Sequence, residues 1–201
     1  MMRTILLLIL SAILIQSCVV KERYHFNKDL SGSYYFEFDY SAFREFDSTL
    51  NMMDGIYDGY GSLKNELENI EGIHDVLILS DTTSSKIIMT YRFDDLNAIN
   101  ATYFDQETGT YSRFFKKEEK DFSFVIDMSD QLDDYTDPTM SKDELFENIH
   151  MLLDYSVQLN FDSKFKIIEN THFESVDKRS LLFELDSASL QSPSKLVLRM
   201  K

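Results

Sequence analysis

The chain has a single cysteine, Cys18, in 201 residues. Without a second thiol there is no disulfide framework, and no cysteine cluster of the kind that holds zinc. Basic residues are in deficit: 20 Lys and Arg stand against 35 Asp and Glu, a formal charge of −15. Such a surface repels nucleic acid and anionic head groups, because both contacts depend on Lys and Arg. Cationic partners and divalent ions stay open, and the charge confers solubility. Repeats and low-complexity linkers are missing as well. Pro138 marks the one candidate internal boundary, so residues 24–201 are expected to form a single domain.

Long apolar runs are also absent. Ile5 to Ile15, diluted by Ser11 and Ala12, falls short of the ~20 residues a bilayer span needs. Met1, Met2 and Arg3 precede it, and Gln16, Ser17 and Cys18 follow. A positive start, a short apolar core and a small residue at the cleavage point make an export signal. Ile15-Gln16-Ser17-Cys18 resembles a lipobox, with Gln16 departing from the small or apolar residue usual there. Residues 1–17 therefore read as a lipoprotein signal peptide, and Cys18 as the lipid attachment site, carrying diacylglyceryl and fatty acyl groups such as palmitate. More than one acyl chain gives stable anchoring. Removing residues 1–17 takes away only Arg3, so the mature charge is 19 − 35 = −16. Val19, where Asp would favour inner-membrane retention, points to an outer-membrane lipoprotein facing the periplasm. Residues 18–23 read as a short tether of at most ~20 Å.

The period of two in Tyr34, Phe36, Phe38 and Tyr40 predicts a strand. Asp29-Leu30-Ser31-Gly32 turns it back onto Tyr24-His25-Phe26 as a hairpin. Ser41 begins a helix with Phe43, Phe46, Leu50 and Met53 on one face. A second runs from Ser62 through Leu63, Leu67 and Ile70 to a stop at Gly72. Ile73–Leu79 and Lys86–Phe93 form another hairpin, followed by a short capped helix at Asp94–Ile99. Tyr111–Phe115 and Phe122–Met128 form a third around a charged turn. Ser141 and Glu144 fit a capping box ahead of Leu145, Ile149 and Leu152. Ser156–Phe161, Lys164–Glu169, Ser180–Leu185 and Lys195–Met200 close the chain as strands. The expected fold is α+β: an antiparallel sheet of hairpins with helices packed on one face.

A cysteine followed closely by Tyr24-His25-Phe26-Asn27-Lys28-Asp29-Leu30-Ser31-Gly32-Ser33-Tyr34-Tyr35-Phe36 resembles the opening of small bacterial lipoproteins. Among named groups it is most similar to the LppM-like envelope lipoproteins. That resemblance implies a sheet gripping helices and a role in envelope or lipid handling. It carries over no catalytic residue.

Motifs for chemistry are missing. His25, His74, His150 and His172 are scattered, and none has a second His or Cys at ligand spacing. Asp127, Asp130, Asp133, Asp134 and Asp137 lack the alternation and central glycine of a calcium loop. Gly55-Ile56-Tyr57-Asp58-Gly59-Tyr60-Gly61 has no Lys-Ser/Thr after it and reads as a connection, not a phosphate cradle. There is no Gly-x-Ser-x-Gly elbow. The stripe Tyr34, Phe36, Phe38, Tyr40, Tyr91 and Phe93 reads as core or as a face gripping an apolar ligand. The expectation is a lipid-anchored, non-enzymatic envelope protein that binds a partner protein or apolar ligand, with no cofactor, no metal and no nucleic acid. The membrane, through acyl chains on Cys18, is its first partner. The alternative is an envelope-polymer hydrolase whose carboxylates meet only in the fold.

Overall fold

The computed structural model describes residues 18–41, 62–81, 83–105, 108–127, 153–186, 189 and 192–201. Of these, 59% lie in strands and 11% in helices, which makes the protein mostly β and overturns the expected α+β class. The strands are β1 (Cys18–Phe26), β2 (Gly32–Asp39), β3 (Ile73–Asp81), β4 (Lys86–Phe93), β5 (Arg113–Glu118), β6 (Asp121–Ile126), β7 (Leu153–Phe161), β8 (Phe165–Asn170), β9 (Phe173–Ser175), β10 (Ser180–Glu184) and β11 (Ser194–Met200). The helices are α1 (62–68) and α2 (Leu96–Ala101). Neither is long enough to roof a sheet, and neither could cross a membrane. The helices expected after Ser41 and Ser141, and the Gly55–Gly61 connection, lie outside the described residues.

The strands form a seven-stranded sheet in the order β3-β4-β2-β1-β7-β10-β9 and a four-stranded sheet in the order β5-β6-β11-β8. The expected hairpins appear as β1–β2, β3–β4 and β5–β6. One pairing in the large sheet is parallel. β7 lies beside β1 along its whole length, from Cys18↔Leu153 to Phe26↔Phe161, which places β1 in the sheet's interior. Residues 18–23, expected as a tether, belong to β1.

The apolar faces that would seat helices seat the second sheet instead. Tyr24 and Phe26 of β1, Phe93 of β4 and Phe161 of β7 point inward, against Phe122 and Phe124 of β6 and Leu196 and Leu198 of β11. Rings bridge the sheets directly: Phe26 and Phe122 have centroids 5.2 Å apart, and Phe122 meets Phe161 edge-on at 5.2 Å. Burying each such ring contributes about 2–3 kcal/mol from area alone, before ring geometry is counted.

The first hairpin turns through Leu30, which adopts a left-handed φ of 69°. Asp29 Oδ1 fixes the turn by accepting from the Ser31 backbone N–H at 3.1 Å and the Ser31 hydroxyl at 2.7 Å. Gly32 serves close approach: a Cβ there would lie 1.9 Å from the His25 carbonyl oxygen and 2.7 Å from the Phe93 ring. Gly32→Ala must therefore push β1 from β2 at the edge of the core. We expect it to cost about 2–3 kcal/mol, the scale of overpacking a tight site, and to lower the thermal unfolding midpoint by several degrees. An unchanged midpoint would refute the close packing.

Candidate functional site

The charged centre of the molecule is inside it. Glu22 points inward from mid-β1 with its side chain 4% exposed, and Arg113 faces it from the first position of β5. The guanidinium grips the carboxylate at both ends, with Nη1 on Oε2 and Nη2 on Oε1, the latter at 2.6 Å. The Tyr24 hydroxyl donates to Oε2 and the Tyr155 hydroxyl to Oε1, each at 3.0 Å. Arg113 Nη1 also reaches the Tyr24 oxygen at 3.0 Å, and Nη2 reaches that of Tyr155. The Tyr103 ring covers the guanidinium at 4.8 Å and joins its hydroxyl to that of Tyr24. Burial drives the Tyr24 and Tyr155 phenols well above their ordinary range, which keeps both neutral and able to donate. Burial alone would weaken the proton's hold on Arg113, but the Glu22 carboxylate overrides it and the guanidinium stays charged.

Sequence reading missed this pair because the partners lie 91 residues apart. The available signal was parity, since Glu22, Tyr24 and Phe26 alternate onto one strand face.

Above the pair lies a groove. β5, α2 and Ile70 enclose about 760 Å³ whose walls include Leu96, Phe104, Tyr111 and Phe114. Phe104, Tyr111 and Phe114 are 42%, 41% and 37% exposed. Their rings form a continuous row, with Phe104 to Tyr111 at 4.9 Å and Tyr111 to Phe114 at 5.1 Å. Lys116 and Lys117 border the groove. Successive strand residues point to opposite faces, so these lysines flank it from both sides of β5.

Asn100 of α2 holds the groove's wall to the strand. Its side-chain amide donates to the Phe115 carbonyl and its oxygen accepts the Phe115 N–H, both at 2.8 Å, imitating a neighbouring strand along the β5 edge. Asp95 positions α2 as its N-cap, accepting from the Asn97 and Ala98 backbone N–H groups at 2.8 and 2.9 Å. Among the described residues lining the groove there is no carboxylate, histidine, serine or thiol. The lining suits holding an apolar chain, with an anionic end at Lys117, since Lys116 is paired with Glu118.

The residues singled out from sequence are placed as follows. Tyr34, Tyr40, Tyr91 and Phe93 are core, while Phe36 and Phe38 are half-buried, so this stripe forms packing and not a ligand face. His25 pairs with Asp162 at 3.2 Å and His74 with Asp94 at 2.8 Å, while His172 lies 4.0 Å from Asp186. Among the described residues no group of three His, Cys, Asp or Glu could hold a metal ion. His150, Asp130, Asp133, Asp134 and Asp137 lie outside the described residues. Asp127 follows β6, its N–H bonded to the Ser112 carbonyl at 3.0 Å. Cys18 is buried against Tyr40 and Ile87, and burial, followed by the Asp39 carboxylate, raises its thiol to about 11.

Two carboxylates do meet on the outer face of β2. Lys86 Nζ lies 3.1 Å from Glu37 and 3.3 Å from Asp39. A 2.6 Å bond from the Tyr35 hydroxyl, with Lys86, holds the Glu37 carboxyl below its ordinary value. Burial pushes Asp39 up, but hydrogen bonds from Ser41 and Lys86 outweigh it and the net shift is downward. Neither is suited to donate a proton as a glycosidase acid.

No family model matches the chain, and no curated protein matches it. Among solved structures it is similar to the folded domain of LppM from Mycobacterium tuberculosis. The identity is 9% and the TM-score 0.42, over 92% of this chain and 90% of that one. A likeness at this level transfers no residue and no activity.

Arg113→Met leaves Glu22 buried without its cation and is expected to cost about 3–5 kcal/mol in urea unfolding. Adding Glu22→Leu should recover much of that loss, and a double variant as unstable as the single one would show that the pair itself is needed. On the surface, the lowered values of Glu37 and Asp39 contribute stability above the ordinary carboxylate range. That contribution drains away as pH falls from about 5 towards 3. Lys86→Met should therefore flatten the acid limb of a stability-against-pH curve, and an unchanged limb would contradict the triad.

Proposed function

We propose that the protein is a lipid-anchored bacterial envelope component that binds an apolar chain in the groove between α2 and β5. The observation that carries this reading is the exposed row Phe104, Tyr111 and Phe114 lining about 760 Å³. Water beside three contiguous aromatic rings is unfavourable, and such patches mark binding surfaces. Lys116 is bridged to Glu118, and the flanking Lys117 favours a ligand with an anionic end, such as a fatty acid or phospholipid.

The anchor is Cys18, acylated after removal of residues 1–17, with an outer-membrane location facing the periplasm. Because β1 begins at Cys18, no spacer separates the acyl groups from the sheet. The modified side chain must leave its seat, since Cys18 is buried in close contact with Tyr40 and Ile87. The domain then rests directly on its membrane.

Intact-mass measurement on protein extracted from membranes tests both parts. We expect a chain starting at Cys18 with added diacylglyceryl and acyl mass, together with a co-purifying lipid. Tyr111→Ser with Phe114→Asp should remove that lipid and leave the acylation intact. Unmodified Cys18 in a soluble fraction would refute the anchor, and lipid retained by the double variant would refute the groove.

A further inference from the structure

A second concavity gathers three cations. At one end of the molecule Lys164, Lys178 and Arg179 surround an open cleft of about 730 Å³ whose walls include Phe165, Ile167 and Ser175. All three cations are exposed and none has a carboxylate partner among the described residues. Their neighbours do pair: Lys195 lies 2.9 Å from Glu169, and Arg199 lies 2.8 Å from Asp121. In a chain of net −15, carboxylates to neutralise the three are plentiful. The acid within the cleft, Asp177, is used by the loop: its Oδ1 accepts the Arg179 backbone N–H at 2.6 Å.

The backbone fixes this cluster. The Arg179 carbonyl accepts the Phe161 N–H at 2.8 Å, and the Lys164 carbonyl accepts the Lys201 N–H at 2.9 Å. Arg179 therefore sits at the end of β7, and β7 runs parallel to β1 in register. The cleft lies beyond the Phe26 end of β1, whereas Cys18 lies at the other end. Eight steps of ~3.3 Å separate the two ends, roughly 26 Å.

We propose that this cleft binds an acidic glycan strand, with its carboxylate or phosphate groups on Lys164, Lys178 and Arg179 and a sugar face against Phe165. The pattern of charge selects this partner over larger anionic surfaces. Asp177 lies in the cleft, and the exposed Glu174 and Asp162 come just before the lining residues Ser175 and Lys164 in the chain. A flat anionic bilayer or a stiff duplex would press these carboxylates against its own charge. A single flexible strand bends past Asp177 and sets its charges on the cations. The site is independent of the aromatic groove and of the lipid proposed there.

The test uses full-length protein in neutral detergent, titrated calorimetrically with polygalacturonate, uncharged dextran, single-stranded DNA and phosphatidylglycerol vesicles. We expect polygalacturonate to bind, with affinity falling roughly tenfold between about 50 and about 200 mM salt as a few counterions are released. Dextran should not bind. Combined Lys164→Gln, Lys178→Gln and Arg179→Gln should weaken polygalacturonate at least roughly tenfold while leaving groove-bound lipid in place. Lys164→Gln and Lys178→Gln, both at exposed positions, give the same reading singly if the triple variant fails to fold. Absence of polygalacturonate binding at low salt would overturn the proposal. So would equal binding by the variants, or tighter binding of DNA or vesicles than of the glycan.

Discussion

The structure depends on the buried pairing of Arg113 with Glu22. Taking a guanidinium and a carboxylate out of water costs several kcal/mol for each ion, and their attraction offsets this only if every lone pair and proton is used. Here both ends of the carboxylate accept from the guanidinium, and the hydroxyls of Tyr24 and Tyr155 complete its shell. Glu22 belongs to the seven-stranded sheet and Arg113 to the four-stranded one. The pair is therefore directional where the aromatic core is not. Ring packing resists sliding only through shape, while a two-ended ion pair accepts one register.

That register decides what β5 displays. With Arg113 turned inward, alternation sends Phe115 into the core and Phe114 and Lys116 outward. Asn100 then binds both backbone polar groups of Phe115, which closes the strand edge and sets α2 beside it. The exposed aromatic row and its lysines thus follow from a charge pair buried below them. A helix packed flat over β5 would have covered that row. The short α2, held by one side-chain amide, leaves it open.

Local pairing was legible in the sequence and assembly was not. Alternation in Tyr34–Tyr40 and Ile87–Phe93, with turn residues at Asp29–Gly32, located two hairpins because such signals span only a few residues. The parallel contact of β1 with β7 has no local signature, since it joins residues more than a hundred positions apart. The fold class failed for the same reason. An alternating strand reports that one face is buried, and says nothing of whether a helix or a second sheet buries it. The groove was hidden because Phe104, Tyr111 and Phe114 belong to no regular stripe and meet through a loop. Lys164, Lys178 and Arg179 read as scattered surface charge until the β7–β8 and β9–β10 connections bring them together.

Cys18 gains a mechanical meaning from the topology. β1 is an interior strand, bonded along its length to β2 on one side and β7 on the other. A force applied at Cys18 by a membrane anchor runs along the strand and loads these two ladders in shear, so many bonds share it at once. The same force on an edge strand would peel the bonds one after another. Glu22 lies four residues further along β1, so the strand that would bear the anchor is also the strand pinned to the second sheet by Arg113. A lipid anchor at Cys18 would therefore share one continuous element with the ion pair and the core. The interior position of β1 would let an attachment point with no spacer hold the whole domain.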